Sequence, residues 1–121
     1  MVIIDASVVI AWLASPSDDR VRGLLATGQG ALAPVTVTEL LSGKTAGEQV
    51  ARLIDGLHKV PLRQGYWERA GRLRASVLQS GRKAGLGDAL LAQVCLDHDL
   101  PLLTRDRDFA AFAAISGLKL A

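Results

Sequence analysis

Four acidic residues sit where a carboxylate could do chemistry: Asp5, Glu39, Asp88 and Asp106. Asp5 ends the branched apolar run Val2-Ile3-Ile4, where a charge carries a desolvation cost unless it is paired. Asp106 lies two residues past the apolar stretch PLLT, and Glu39 and Asp88 fall in the first turns of apolar helical segments. Oxygen-only ligands gathered in this way suit hard divalent ions such as Mg2+ or Mn2+. Such an ion polarises water and phosphoryl oxygens and stabilises both oxygens of an in-line displacement. Phosphodiester hydrolysis is therefore within reach of these acids without His or Cys.

Each acid also admits a purely structural role. Thr36-x-x-Glu39 has the form of a capping box. Asp88 precedes the apolar segment ALLAQVCL and could be its N-cap. Asp106 and Asp108 could cap the helix after PLLT or favour its dipole. Asp5 is harder to dismiss, so the joint placement of all four is what points to a site.

The elements that must position these acids follow from the hydrophobic pattern. VIID reads as a central strand, and Ser7 caps a helix VVIAWLA that Pro16 stops. DDRVRGLLAT is a second helix, ALAP a brief strand, and Thr36 opens another helix through VTELLSG. EQVARLIDGL carries Val50, Leu53, Ile54 and Leu57 at helical spacing. KVPL is a weak strand, followed by a helix from about Gly65 to Ser80 whose inner face would be Trp67, Ala70, Leu73 and Val77. GRKAGLG is a loop, and Asp88 begins a strongly apolar helix. PLLT is a strand, RDRDFAAFAA a short helix, and GLKLA a last edge strand.

Strands alternating with helices predict a single α/β domain over residues 1–121, a three-layer α/β/α sandwich with a central parallel sheet of four to five strands. In an open parallel sheet, ligands bind beyond the carboxyl ends of strands where strand order reverses. Asp5, Thr104 and Asp106 meet there if VIID and PLLT are neighbours.

Composition agrees with that layering. The 121 residues are 50% hydrophobic but only 4% aromatic, so the core must be built from Ala, Leu, Val and Ile. No apolar run approaches the roughly 20 residues that span a bilayer, and no basic segment precedes Val2. A cytoplasmic location without membrane attachment is expected, and lone Cys95 belongs to the core. Net charge is only +2, but from Arg63 to Lys83 six basic residues face one acid, Glu68. Within that stripe Arg69, Arg72, Arg82 and Lys83 could attract phosphate; the plainer account is a solvated helix face with Glu68 and Arg72 paired. His58 and His98 have no ligand-spaced partner, Trp12 and Trp67 read as packing or interface anchors, and Asp97 and Asp99 as solvated.

The stretches VIIDASVVIAWL, PVTVTELLSG and GLGDALLAQVCLDHDLPLLTRDRDF, with a short final strand, resemble PIN-domain ribonucleases, specifically VapC-type toxins of type II toxin–antitoxin systems. Residue by residue, Asp5, Glu39, Asp88 and Asp106 match that family's four acids. Ser7 and Thr104 match its accessory hydroxyls, and Asp108 a position that is often acidic. The resemblance implies a Mg2+- or Mn2+-dependent endoribonuclease, a homodimer, and inhibition by a VapB-type antitoxin. It assigns Asp5, Asp88 and Asp106 as metal ligands, Glu39 as a ligand or water-orienting group, and Ser7, Thr104 and Asp108 as supports. With the RNA substrate it implies, the basic residues Arg69, Arg72, Arg82 and Lys83 would hold RNA backbone.

Other classes fit less well. A receiver domain needs an acceptor Asp ending a mid-chain strand, and the only candidate, Asp55, lies in a helical pattern. A haloacid-type phosphatase needs Asp-x-Asp after its first strand, where this chain has Asp5 and Ser7. A non-catalytic PIN-like module that binds RNA or protein is the remaining alternative, and the intact acids weigh against it.

Overall fold

The computed structural model describes residues 1–121. Its elements are β1 (Val2–Ile4), α1 (Ala6–Ala14), α2 (Asp19–Thr27), β2 (Gly30–Leu32), α3 (Pro34–Ser42) and α4 (Glu48–Gly56). They continue with β3 (His58–Lys59), α5 (Tyr66–Gln79), α6 (Leu86–His98), β4 (Leu102–Leu103) and α7 (Phe109–Ser116). The strands form one parallel sheet in the order β3-β2-β1-β4. The chain steps outward from β1 through β2 to β3, then returns to add β4 on the other side of β1. Strand order therefore reverses between β1 and β4, and Ile4 pairs in register with Leu103 at their carboxyl ends.

Side-chain alternation along these short strands divides the core in two. Ile3, Ala31 and Leu102 pack on one face with Ala70 and Val77 of α5, Leu91 and Val94 of α6, and Phe109 and Phe112 of α7. Their neighbours Ile4, Leu32 and Leu103 pack on the other face with Val8 and Val9 of α1, Val21 of α2, Leu40 of α3, and Val50 and Ile54 of α4. Helices thus cover both faces, and the result is the expected three-layer α/β/α sandwich with four strands. No helix is long and apolar enough to cross a membrane.

Several local expectations fail for identifiable reasons. Trp67 is 64% exposed, while Tyr66 turns inward and donates its hydroxyl to the Leu90 carbonyl at 2.6 Å. A buried tyrosine needs such a partner, and α6 supplies it. KVPL contributes only Lys59 to β3, because Pro61 has no N–H to continue a ladder. GLKLA reduces to one bridge between Leu102 and Leu120. Asp97 is not solvated: its side chain is 8% exposed and accepts Nε and Nη2 of Arg69 at 2.9 and 2.7 Å, and Gln93 at 2.8 Å. The expected Glu68–Arg72 ion pair is absent; five other pairs form.

Candidate metal centre

The site forms at the reversal point, from residues that leave β1 and β4 at the same sheet edge. Asp5 follows β1 and is itself the N-cap of α1, its Oδ1 accepting the Ala6 N–H at 2.8 Å. Ser7, expected as that cap, instead donates its hydroxyl to Asp5 Oδ2 at 2.8 Å. Thr104, just past β4, donates to the same oxygen at 2.7 Å. Asp5 is only 8% exposed, and these three donors offset the burial of its charge. Its Oδ2 is filled by two hydrogen bonds, whereas Oδ1 keeps one lone pair free.

The loop from Thr104 to Asp108 is stitched onto this hub. Arg105 N–H donates to Ser7 Oγ at 3.1 Å, and Asp106 N–H to Thr104 Oγ1 at 3.0 Å. Asp108 N–H donates to Asp106 Oδ1 at 2.9 Å. This short-range bonding, encoded in the alternation Arg-Asp-Arg-Asp, turns Asp106 and Asp108 toward the start of α6. Asp88 waits there in the first turn, two residues inside Leu86, so it is not an N-cap. One ligand oxygen from each of Asp88, Asp106 and Asp108 lies within 4.8 Å of the others.

Glu39 approaches from α3. That helix begins at Pro34, a residue suited to the first helical position, so Thr36 lies inside it and the capping box does not form. A Cβ added at Gly87 would lie 3.9 Å from Glu39 Oε2, and one at Gly85 would lie 3.4 Å from Asp88 Oδ2. Both carboxylates therefore lie at the start of α6, beside its positive end.

The electrostatics join the five acids. Burial pushes the Asp88 carboxyl up to about 6, helped by the charges of Asp106, Asp5, Asp108 and Glu39 in that order. Glu39 is also raised, by burial and then by Asp5. One ion pair reaches the five acids, from Lys83, whose Nζ is 3.5 Å from Asp108 Oδ2 in an exposed pair. Three carboxylate oxygens within one coordination sphere, under repulsion that a dication would relieve, fit a hard divalent ion.

A family model described as PIN domain matches residues 2–115. The chain belongs to the PIN domain family. The PIN fold is equally plain in three dimensions. VapBC2 from Rickettsia felis bound to a promoter DNA fragment superposes with a TM-score of 0.79 at 19% identity, covering 100% of this chain and 98% of that one. The corresponding values for DNA-bound VapBC from Salmonella typhimurium are 0.77, 17%, 100% and 98%. For VapBC-5 from Mycobacterium tuberculosis they are 0.72, 24%, 98% and 95%. No curated protein is similar enough to this sequence to count as a match.

Within this PIN domain the sequence-derived residues are distributed unevenly. Asp88 and Asp106 converge with Asp108, while Asp5 and Glu39 lie outside that group and act on Asp88 through their charges. Asp108, expected only as a support, is the third member, and the signal for it was the repeat in RDRD. Of the four basic candidates, Lys83 reaches the site and Arg82 shares its surface depression with Arg107 and Asp108. Arg69 is committed to Asp97 and to the Gln64 carbonyl, and Arg72 is exposed on α5 without a partner.

Proposed function

We propose that this PIN domain, spanning residues 1–121, is a divalent-metal-dependent endoribonuclease and the toxin of a toxin–antitoxin pair. The observation that carries the nuclease assignment is the Asp88–Asp106–Asp108 group at the sheet's reversal point, with Asp88 pushed up to about 6. PIN-domain membership supports nuclease chemistry, and the shared fold with chains of VapBC assemblies supports the toxin role and a VapB-type antitoxin as partner.

Asp88, Asp106 and Asp108 would hold Mg2+ or Mn2+, and the free lone pair of Asp5 Oδ1 would be a further donor. When bound, such an ion would supply positive charge at the phosphoryl oxygens and lower the pKa of water. Glu39, whose raised carboxyl takes up a proton more readily than an ordinary glutamate, accepts the proton of the attacking water at its Oε atoms. Ser7 and Thr104 fix the rotamer of Asp5, and through it the loop that carries two of the ligands. Side by side in one surface depression, the largely exposed Trp67 and Leu86 offer an apolar face that a second copy would cover in a homodimer. The reading places the protein in the cytoplasm with its RNA.

The test is cleavage of total RNA by purified protein freed of antitoxin, with Mg2+ or Mn2+. Metal-dependent products from wild type and none from Asp88→Asn are expected. Intact RNA in both would sink the nuclease assignment.

A further inference from the structure

The ten arginines divide into two sets. Arg22, Arg52, Arg63, Arg69 and Arg74 each bond a protein partner through the side chain. Arg20, Arg72, Arg82, Arg105 and Arg107 have none. Arg105 and Arg107 flank Asp106 in the chain, Arg82 shares a surface depression with Arg107 and Asp108, and Arg20 lines the cavity that ends at Thr104 and Arg105; Arg72 lies elsewhere, on α5.

The four fall into two pairs. Arg105 follows Thr104, and its backbone N–H is fixed on Ser7 of α1. Arg105 lines a cavity of about 160 Å³ between α1, α2 and the end of β4, shared with Arg20, Trp12 and Asp18, whose Oδ1 is taken by the Arg20 and Val21 N–H groups. Arg107 lies across Asp106 from it and lines a depression with Arg82 and Lys83 of the α5–α6 loop. The RDRD segment thus turns its acids to the centre and its arginines to opposite flanks. Cations left without acidic partners repel one another, so such an arrangement suits an anion that continues past the centre in both directions. RNA meets that requirement, because its backbone carries one charge per nucleotide.

Taking RNA as the substrate, as proposed above, we infer that its backbone crosses the carboxylate group from the α1–α2 cavity to the α5–α6 loop. Arg20 and Arg105 bind phosphate on one side of the cleaved bond, and Arg82 and Arg107 bind phosphate on the other. Trp12 offers the first flank an aromatic surface beside a base.

The test measures binding of a fluorescent single-stranded RNA against salt concentration, in Asp88→Asn protein without metal so that nothing is cut. Each phosphate contact contributes about −0.7 to the slope of log affinity against log salt for a single strand. The double variants Arg20→Gln/Arg105→Gln and Arg82→Gln/Arg107→Gln are each expected to flatten that slope by about 1.4. Arg72→Gln, equally exposed and unpartnered, should leave it unchanged. An unchanged slope in either double variant, or an equal change in Arg72→Gln, overturns the two-sided path. Thermal melts of the variants, expected to match the parent, separate lost contacts from lost fold. Cleavage of the same RNA by wild type with Mg2+ keeps the two proposals apart. Cleavage with unaltered slopes removes the path alone, and flattened slopes without cleavage remove the nuclease assignment alone.

Discussion

The hydroxyl of Thr104 donates a 2.7 Å hydrogen bond to Oδ2 of Asp5, joining residues 99 positions apart at the one place where strand order reverses. Ser7 donates to the same oxygen, and the backbone of the Thr104–Asp108 loop hangs on these two hydroxyls. Removing either one leaves a buried carboxylate short of a donor and loosens the loop that presents Asp106 and Asp108. Thr104→Val and Ser7→Ala are each expected to cut the cleavage rate by about 10–100-fold, the usual cost of losing a partner behind a metal-binding group. Part of that loss should be recovered at high Mg2+. Single-turnover cleavage across a metal titration checks this, and a rate within twofold of wild type at every concentration would contradict it.

The Asp88–Asp106–Asp108 group is held together against its own repulsion. Neutralising one member should relieve that repulsion while removing a ligand. Asp88→Asn is therefore expected to melt at a higher temperature than wild type at pH 7.5 without metal. It should also lose the upward shift that millimolar Mn2+ gives wild type, because an ion that binds only the folded state stabilises by mass action. Differential scanning calorimetry with and without Mn2+ reads both effects, and a metal-induced shift equal to wild type would exclude Asp88 as a ligand.

Proton linkage at Asp88 gives a signed expectation. Its ordinary value is 3.8 and burial among acids pushes it up to about 6, so between those pH values the folded state binds more proton than the unfolded chain. Without metal, stability should fall as pH rises from about 4 to about 6 and then level off. Glu39 is raised as well and acts in the same direction. Stabilisation by Mn2+ should run the opposite way, small near pH 5 and growing above 6, because ligand carboxylates must be ionised. Melting temperatures across pH 4–8, with and without Mn2+, test the opposed trends. Metal-free stability that climbs between pH 4 and 6 would contradict the assignment.

Much of this was legible in the chain, and what was not has local physical causes. The branched run VII, the apolar PLLT and the alternation of strand and helix specify the sheet, and the sheet alone brings Asp5 to Thr104. Hydrophobic period could not separate Tyr66 from Trp67, because a hydroxyl finding the Leu90 carbonyl decides which ring turns inward. Nor could charge pattern place Asp97, since the partner that buries it lies 28 residues away on another helix. The place of Asp108 in the carboxylate group was obscured because it depends on the turn that its own N–H makes with Asp106. Local signals gave the elements; pairings between distant residues gave the corrections.

Thr36 Oγ1 is buried in α3 without a hydrogen-bond partner. A buried hydroxyl in that state loses its water contacts with no return, so replacing it by a methyl group of the same shape removes a penalty. Thr36→Val is expected to be neutral or to stabilise by up to about 1 kcal/mol, with cleavage unchanged. Urea denaturation measures the first and RNA cleavage the second. A marked loss of activity would instead tie that hydroxyl to the neighbouring Glu39.

Arg69 tests whether a basic residue of α5 serves the fold or RNA. Its guanidinium forks onto Asp97 of α6 and also donates to the Gln64 carbonyl, and Gly65 leaves room for it by adopting φ +81°. A Cβ at Gly65 would stand 2.6 Å from Arg69 Nη1. Burial alone would raise the Asp97 carboxyl, but the hydrogen bonds from Arg69 and Gln93 and the Arg69 charge outweigh it and leave the carboxyl below its ordinary value. Arg69→Ala strands that carboxylate between α5 and α6, so a melting temperature lower by several degrees is expected. Because Arg69 is already spent on protein acceptors, the salt slope of RNA binding should not change. Paired measurements of thermal stability and salt-dependent binding, at a temperature where the variant is folded, decide the matter. A flattened slope with an unaltered melting temperature would return Arg69 to the RNA surface.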